Sequence, residues 1–528
     1  MNKPIVVVAE SIAPAGLDTL AATAELRLAV GFDRERLLGQ LGEAEGLIVR
    51  SATKVDRDLL EAAPRLRVIG RAGIGTDNID LEAATQRGIL VVNAPTANVI
   101  SAAEHTLGLL LAQARSIPAA DSRLRAGGWD RSGFQGVELY RKVLGVLGLG
   151  RVGSLVAERA LAFGMRVLAF DPYVGEERAK RMGVELTDQL DRVLAEADFL
   201  TIHLPLTRET ERLIDAAAMA RMKRGVRIIN TSRGGVIDEL ALAEAIASGQ
   251  VAGAALDVFA TEPTTGSPLF SLPQVVVTPH LGASTQEAQD KAGTSVAEAV
   301  AASLRGELVT SAVNVEMGRG VSEEARPYLR LAELLGHAFV GLAKGLPASL
   351  AVRAVGRLAE DPVRPLALAA LKGALAAVSD TPVSFVNAPL IAAARGISVV
   401  EESAPEASDY MSLLRISGIV SGNPSAVAGV VDRRKGPTLV EVFEYRLELP
   451  LTRYLLVVRN QDVPGVIGRV GTYLGDLAVN IADMVVGRSP DGAAAMMGLS
   501  LDSALSDVQL GGMRQLSGVT DARFVDLG

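Results

Sequence analysis

The sequence predicts an α/β protein: two doubly wound units with parallel sheets, a further segment, and a small βαββαβ module at the end. Three observations predict it. Short β-branched runs alternate with helical stretches through the first ~315 residues, as expected of parallel strands covered on both faces. The runs fall into two sets separated by one long helical pattern. The last segment reads strand, helix, strand, strand, helix, strand.

The first set is "IVVVAE", "GLIVR", "RLRVIGR" and "GILVVNAP". The second is "KVLGVLGLG", "MRVLAFDP", "DFLTIHLP", "VRIINTSR", "AALDVFA" and "VVVTPH", so ten strands are expected. The helical pattern "SAAEHTLGLLLAQAR" (101–115) separates the sets. A second, "TQEAQDKAGTSVAEAVAASLRG" (285–306), follows the last strand and is placed to return the chain to the first unit. That gives a discontinuous first unit, residues 1–98 with 287–316, around a second unit, 99–286. Residues 318–450 are rich in Ala, Leu and Val, alternate weakly, and carry no motif to which chemistry can be assigned. After them "RYLLVVRN" reads as a strand and "PGVIGRVGTYLGDLA" as a helix with Pro464 near its first turn. "VNIADMVVGR" and "AAAMMGLSLD" read as strands, and "DARFVDL" closes the module after one more helix.

Composition narrows the function. A chain of 528 residues exceeds a single core, and 49% apolar residues suffice for several. A formal charge of −8 argues against a nucleic-acid surface. The absence of cysteine excludes disulfides and thiolate chemistry and suits a reducing cytoplasm. The start, "MNKPIVVVAES", has too short an apolar run for a signal peptide. No apolar stretch reaches the ~18 residues of a membrane helix; "LALAALKGALAAV" is broken by Lys372. A soluble cytoplasmic protein with no membrane or nucleic-acid partner is expected. Its four histidines, His105, His203, His280 and His337, lack paired spacing, so no metal site is expected.

Gly148-Leu149-Gly150-Arg151-Val152-Gly153 follows a strand and opens a helix, and Asp171 ends the next strand. This is the dinucleotide fingerprint in its required context. Gly148 permits a tight turn, Gly150 lets a pyrophosphate approach, and Gly153 lets helix and strand pack. The helix N-terminus offers N–H groups and a positive dipole end. Asp171 is expected to bond the adenosine ribose, and its charge would repel a 2′-phosphate, which favours NAD over NADP. The glycines of "GRAGIGTDNID" (70–80) lack that spacing and read as a loop facing the cleft.

Ligands of open α/β sheets sit beyond the carboxyl ends of the strands. In the second set those ends carry Gly148, Asp171, Pro205, Arg233, Asp257 and His280. Oxidising a 2-hydroxy acid requires hydride removal and a base near neutrality, which histidine supplies. Glu262 is a candidate to orient and charge-balance the imidazole. Arg233 can hold a substrate carboxylate with its fork. Each has a plainer reading alone: a structural histidine, a surface cation, a turn residue before Pro263.

Together "VRSATKV" (49–55), "GRAGIGTDNID", "GLGRVG", "INTSRGGVIDE", "ALDVFATEP", "TPHLGAST" and "AVNVE" (312–316) resemble the D-isomer-specific 2-hydroxyacid dehydrogenases. The first two are more similar to the phosphoglycerate branch than to the glyoxylate or lactate branches. The resemblance implies two Rossmann-like domains and an NAD-dependent oxidation of 3-phosphoglycerate to 3-phosphohydroxypyruvate. It implies a catalytic set of Arg233, Glu262 and His280. It adds Arg151, Val152, Thr231, Ser232, Asp257, Gly282 and Ala283 to the cofactor contacts, beside Pro205 and His280. Arg50, Ser51, Arg71 and Gly73, at the ends of first-set strands, become substrate candidates. Arg131, near "GGWDR", is a further candidate that in this family can reach in from a neighbouring subunit. Another hydroxyacid dehydrogenase, such as a glyoxylate or hydroxypyruvate reductase, is the alternative; a NAD-sensing binding protein is a third reading.

The tail, 452–528, resembles an ACT domain, which in bacterial relatives binds L-serine. Asn460, Asp462 and Asn480 match effector positions, but several relatives have another residue at Asn460, and a module that only dimerises stays open. Residues 317–451, with "VNAPLIAAARGI" (386–397), resemble the α+β intervening domain of the long form and imply a homotetramer.

Overall fold

Four sheets organise the computed structural model, which describes residues 3–315, 321–379, 381–406, 409–489 and 492–528. The expected junction at 316–317 falls outside these residues. The first sheet holds β1 (Ile5–Val8), β2 (Glu25–Leu28), β3 (Gly46–Val49), β4 (Val68–Arg71) and β5 (Leu90–Asn93), all parallel, in the order 2-1-3-4-5. The second holds β6 (Val143–Leu147), β7 (Arg166–Phe170), β8 (Glu185–Thr187), β9 (Phe199–Ile202), β10 (Val226–Asn230), β11 (Val251–Leu256) and β12 (Val275–Val277). Its order is 12-11-10-9-6-7-8, also parallel, so the winding reverses between β6 and β9. That switch point is where a doubly wound sheet opens its ligand crevice.

These sheets hold twelve strands rather than the ten expected. The two additional ones, β2 and β8, are edge strands, and β8 has only three residues. Neither buries a residue fully, so "ELRL" and "ELT" need no continuous apolar run. The inner strands do: β3 and β9 are buried at every position.

The helix Val99–Ala114 runs from the first unit into the second and packs on β10 and β11. The helix Gln286–Leu304 packs on Pro14–Thr23 and against β4 and β5. Asn314 then ties the returning chain to the first sheet, accepting from Val91 N at 2.9 Å and donating to Ile89 O at 2.9 Å.

The third sheet comprises β13 (Ser349–Gly356), β14 (Ser398–Ala404), β15 (Ser412–Val420), β16 (Asn423–Asp432), β17 (Gly436–Val442) and β18 (Tyr445–Pro450), in the order 14-13-15-16-17-18. Only β13 and β14 are parallel. Helices Arg326–Ala343 and Val363–Ala376 cover it, which makes this segment α+β. The fourth sheet, β19 (Tyr454–Gln461), β20 (Ile481–Arg488), β21 (Ala494–Leu501) and β22 (Val519–Asp526), is antiparallel in the order 20-21-19-22. With helices Val466–Asp476 and Asp507–Arg514 it forms the βαββαβ module. Pro464 stands just before that first helix rather than inside it, because Gly465 is its N-cap.

Alternate residues of β19 face two cores, as strand geometry requires. Leu456 and Val458 pack under the module's own helices. Leu455 and Val457 join Tyr445, Leu447, Leu449 and Phe339 in the core of the third sheet. Arg523 donates across the junction to the Leu342 carbonyl.

Candidate active site

The turn after β6 begins with Gly148 at φ +92°, a left-handed value; a Cβ there would lie 2.7 Å from the His203 carbonyl oxygen. A Cβ on Gly153 would collide with the Gly148 carbonyl. At Gly150 the same position opens into empty space. The helix Arg151–Ala162 starts there with no side chain capping its N-terminus. An open approach beside free helical N–H groups fits a dinucleotide pyrophosphate. The side chain of Arg151 turns away and donates to Pro95 O at 2.6 Å, while Val152 lies partly buried in the helix's first turn. Asp171 accepts from Leu149 N at 2.8 Å and Tyr173 N at 2.9 Å, which fixes its carboxylate beside the turn with lone pairs to spare for ribose hydroxyls.

The neighbouring strand ends complete the crevice. Pro205, exposed, follows β9. After β10 the chain turns around Asn230, which is buried. Its Oδ1 accepts from Ser232 N at 3.1 Å and Ser232 Oγ at 3.0 Å, and its Nδ2 donates to Arg233 O at 2.8 Å. Thr231 Oγ1 pairs with Thr106 Oγ1 at 2.7 Å. This turn throws Arg233 into the cleft. Its Nη1 donates to Ser232 O at 2.7 Å and its Nε meets Asp77 at 3.2 Å, so part of the fork is held within the protein.

His280 follows β12 at φ +57°, an uncommon conformation for a residue with a Cβ. Its Nδ1 lies 2.6 Å from Glu262 Oε2, and Glu262 Oε1 accepts from Phe259 N at 2.9 Å. The Glu262 contact raises the imidazole pKa above its ordinary value, against the lowering by burial; Asp257 adds to the rise and Arg233 opposes it. Burial pushes Glu262 upward, but the bonds from His280 and Phe259 N–H prevail and hold it below its ordinary value. The contact therefore favours the carboxylate on Glu262 and makes the imidazole more basic, with Nε2 left for chemistry.

Asp257 sits one layer behind. It is fully buried, and its carboxylate accepts from Thr278 Oγ1 at 2.6 Å, Leu281 N at 2.7 Å and Gly282 N at 2.8 Å. Counted among the cofactor contacts in the sequence, it also anchors the loop that carries His280, Gly282 and Ala283.

The first unit faces this cleft. Arg50 follows β3, and Glu10 clasps that turn through Arg50 N at 2.8 Å, Ala52 N at 3.2 Å and Thr53 N at 2.9 Å, which leaves Ser51 exposed. Arg71 ends β4 and its side chain crosses Gly73, where a Cβ would collide with it. Its pKa is lowered by burial first, then by Arg233; Arg50 acts the same way and Asp77 and Glu10 oppose it. Three guanidinium groups thus share one region with two carboxylates, and the Arg71 Nε is buried with no partner. Arg131 lies elsewhere, exposed on the loop after helix Ile117–Arg125.

The model of the D-isomer specific 2-hydroxyacid dehydrogenase NAD-binding domain matches residues 107–282. The D-3-phosphoglycerate dehydrogenase intervening domain matches 324–443, and the ACT domain matches 454–507. The D-3-phosphoglycerate dehydrogenase of Mycobacterium tuberculosis is 48% identical over 511 residues, 96% of each chain. That of Methanocaldococcus jannaschii is 43% identical over 509 residues, 96% of this chain and 97% of its own. The chain belongs to the D-3-phosphoglycerate dehydrogenase family. Among solved structures, a D-lactate dehydrogenase from Aquifex aeolicus complexed with NAD and lactic acid aligns with a TM-score of 0.52 and 31% identity over 57% of this chain and 96% of its own. A glyoxylate reductase from Paecilomyes thermophila aligns with a TM-score of 0.55 and 29% identity over 59% and 99%. As a member of the D-3-phosphoglycerate dehydrogenase family the chain is an oxidoreductase with an NAD-binding domain.

Of the effector candidates, Asn460 is buried with its Nδ2 on Gln461 O at 2.7 Å and its Oδ1 unpartnered. Asp462 pairs with Arg488 at 2.9 Å, and exposed Asn480 donates to Asp502 at 2.6 Å. None of the three bonds another. Sequence reasoning does not reach Asp77, Asn230, Thr278 or His105 as members of the site. Asp77 lies inside a quoted motif, but nothing in the motif names its partner 156 residues away.

One expected result follows for the cofactor. Asp171→Ala should weaken NADH binding about tenfold and narrow the preference over NADPH, since a charge-assisted bond and a repulsion are both lost. Fluorescence titration with the two cofactors measures it, and an unchanged ratio would remove the ribose role.

Proposed function

We propose that the enzyme oxidises D-3-phosphoglycerate to 3-phosphohydroxypyruvate with NAD, the entry to L-serine synthesis. The observation that supports this best is the joining of the His280–Glu262 pair with Arg233, Arg50 and Arg71 around one cleft. An acid/base couple beside three cations suits a hydroxy acid with anions at both ends. In this reading residues 1–98 with 287–316 hold the substrate and 99–286 hold the cofactor. NAD bound along the turn at Gly148–Gly153 supplies the hydride acceptor.

His280 Nε2 removes the proton of the substrate hydroxyl, and the imidazolium so formed is stabilised by Glu262. Arg233 holds the carboxylate next to the reacting carbon with the part of its fork left free by Ser232 and Asp77. Arg50 and Arg71, with Ser51 and the Gly73 turn, face the phosphate end. Arg131 completes that end from a second subunit; exposed Ile117, Leu124 and Trp129 beside it supply an apolar contact for the neighbouring subunit. We take the assembly to be a homotetramer in the cytoplasm; among the described residues no helix is long and apolar enough to cross a membrane. L-Serine is proposed as the effector of the ACT domain.

The test follows NADH absorbance with 3-phosphohydroxypyruvate, with glyoxylate as control, with and without L-serine. The phosphorylated substrate should win by at least about 30-fold in kcat/KM, the worth of a buried charge-assisted contact. Glyoxylate winning would overturn the assignment in favour of a reductase. Inhibition by serine that is lost in Asp462→Ala would place the effector at the tail, and serine indifference would make the tail structural.

A further inference from the structure

His105 sits on the helix Val99–Ala114, which links the two units, and its ring is partly buried. Its Nε2 lies 3.1 Å from Asp257 Oδ1 and 3.1 Å from Thr278 Oγ1. The Thr278 hydroxyl donates its own proton to Asp257 at 2.6 Å, so the oxygen facing His105 can only accept. Both neighbours being acceptors, the ring carries its proton on Nε2 and donates.

Asp257 is the anchor of the loop that presents His280. Besides the bonds of its carboxylate to Leu281 N and Gly282 N, its carbonyl accepts from His280 N at 2.9 Å. Ser101, one turn before His105 on the same helix, donates from its Oγ to Gly282 O at 3.0 Å. The loop needs such hold, because a left-handed residue with a Cβ costs about 1–2 kcal/mol. A buried carboxylate in turn needs its donors to keep one orientation. One helix therefore grips both ends of the catalytic loop, by Ser101 at Gly282 and by His105 at Thr278.

We propose that His105 is a positioning residue for His280: its Nε2–H locks Asp257 and Thr278, and through them the left-handed turn that aims the imidazole. The proposal rests on His280 being the acid/base group. In this role His105 acts through Asp257 and Thr278 rather than on the reacting groups, so its loss should appear in turnover rather than in binding.

The test uses the full-length enzyme, 3-phosphohydroxypyruvate and NADH. His105→Leu should lower kcat about 10- to 100-fold, the cost of a small misplacement of a reacting group. KM for the keto acid and the Kd of NADH should stay within about threefold, and nicotinamide-deuterated NADH should give a larger isotope effect as chemistry becomes limiting. His105→Gln, which brings an amide N–H to the same neighbours, should recover most of the turnover. A helix-packing role would not be rescued by an amide, nor would it separate kcat from binding. Thr278→Val should show the same split, and the His105→Leu/Thr278→Val double variant should be no slower than the worse single one. Parental kcat in His105→Leu would overturn the proposal. So would a loss confined to KM or Kd, or a Gln variant as slow as the Leu variant. Should His105→Leu fail to fold, the Gln and Thr278→Val variants decide alone: parental turnover in Thr278→Val overturns it. His280→Ala with normal turnover would remove the underlying reading; an inactive His280→Ala beside a fully active His105→Leu removes only this inference.

Discussion

His280→Ala should lose about 10²–10⁴-fold in turnover while still binding NADH, because general acid/base catalysis contributes that much and the cofactor crevice is built by other strand ends. The structure adds a pH signature. Glu262 raises the imidazole pKa, so the neutral base needed for oxidation is formed only as pH rises through that elevated value. Oxidation of the hydroxy acid should gain rate up this limb, and reduction of the keto acid, which needs the imidazolium, should lose rate along the same limb. Glu262→Gln removes the largest raising influence and leaves burial and Arg233 to lower the pKa against Asp257. The limb should then move to lower pH in both directions. A limb that stays in place would separate it from His280, and normal turnover in His280→Ala would end the acid/base assignment.

Arg233→Gln should cost about 10²–10³-fold in kcat/KM. Removing one partner of a desolvated charge pair costs roughly 2–5 kcal/mol, and each 1.4 kcal/mol is tenfold. Two neighbours sharpen the expectation. Asp77 would lose the cation at 3.2 Å, and Arg71, already lowered in pKa partly by Arg233, would face Asp77 without a competitor. Arg233→Lys should recover little, since an ammonium cannot both occupy Asp77 and present a flat donor pair to a carboxylate. Steady-state kinetics with saturating NADH measures both variants, and a loss below about threefold in Arg233→Gln would put the carboxylate elsewhere.

Where one residue's chemistry sufficed, the sequence was readable. The glycines at 148, 150 and 153 each have a steric reason visible from spacing, and the structure places each reason in the turn after β6. Inner strands such as β3 and β9 announce themselves as unbroken apolar runs. The crevice residues lie at carboxyl ends because parallel winding leaves no other place for them. What escaped reading depends on distance through space. The strands β2 and β8 lie at sheet edges, where burial no longer dictates composition. Asp257 occupies the expected strand end, yet no pattern in the sequence tells that its carboxylate also bonds Leu281 N and Gly282 N of the His280 loop. The His105–Thr278 contact joins residues 173 apart, and no periodicity links a polar residue on a helix to a turn on another element. The third sheet mixes exposed with buried positions without strict alternation, as β15 and β16 show, so its pattern is faint.

The core shared by the third and fourth sheets has a mechanical consequence. Only Leu451, Thr452 and Arg453 separate β18 from β19, and Leu455, Val457 and Val525 are embedded among Tyr445, Leu447 and Phe339. The C-terminal module is therefore not a tethered sensor swinging on a leash. Cleaving it off would strip one wall from its neighbour and leave aromatic and aliphatic surface wet, so truncation after Pro450 should yield aggregate in place of a desensitised enzyme. Any ligand gripping the tail adds its binding free energy to the melting of both modules at once. That shared block meets the first unit where Ser384 donates to the Gly88 carbonyl at 3.0 Å.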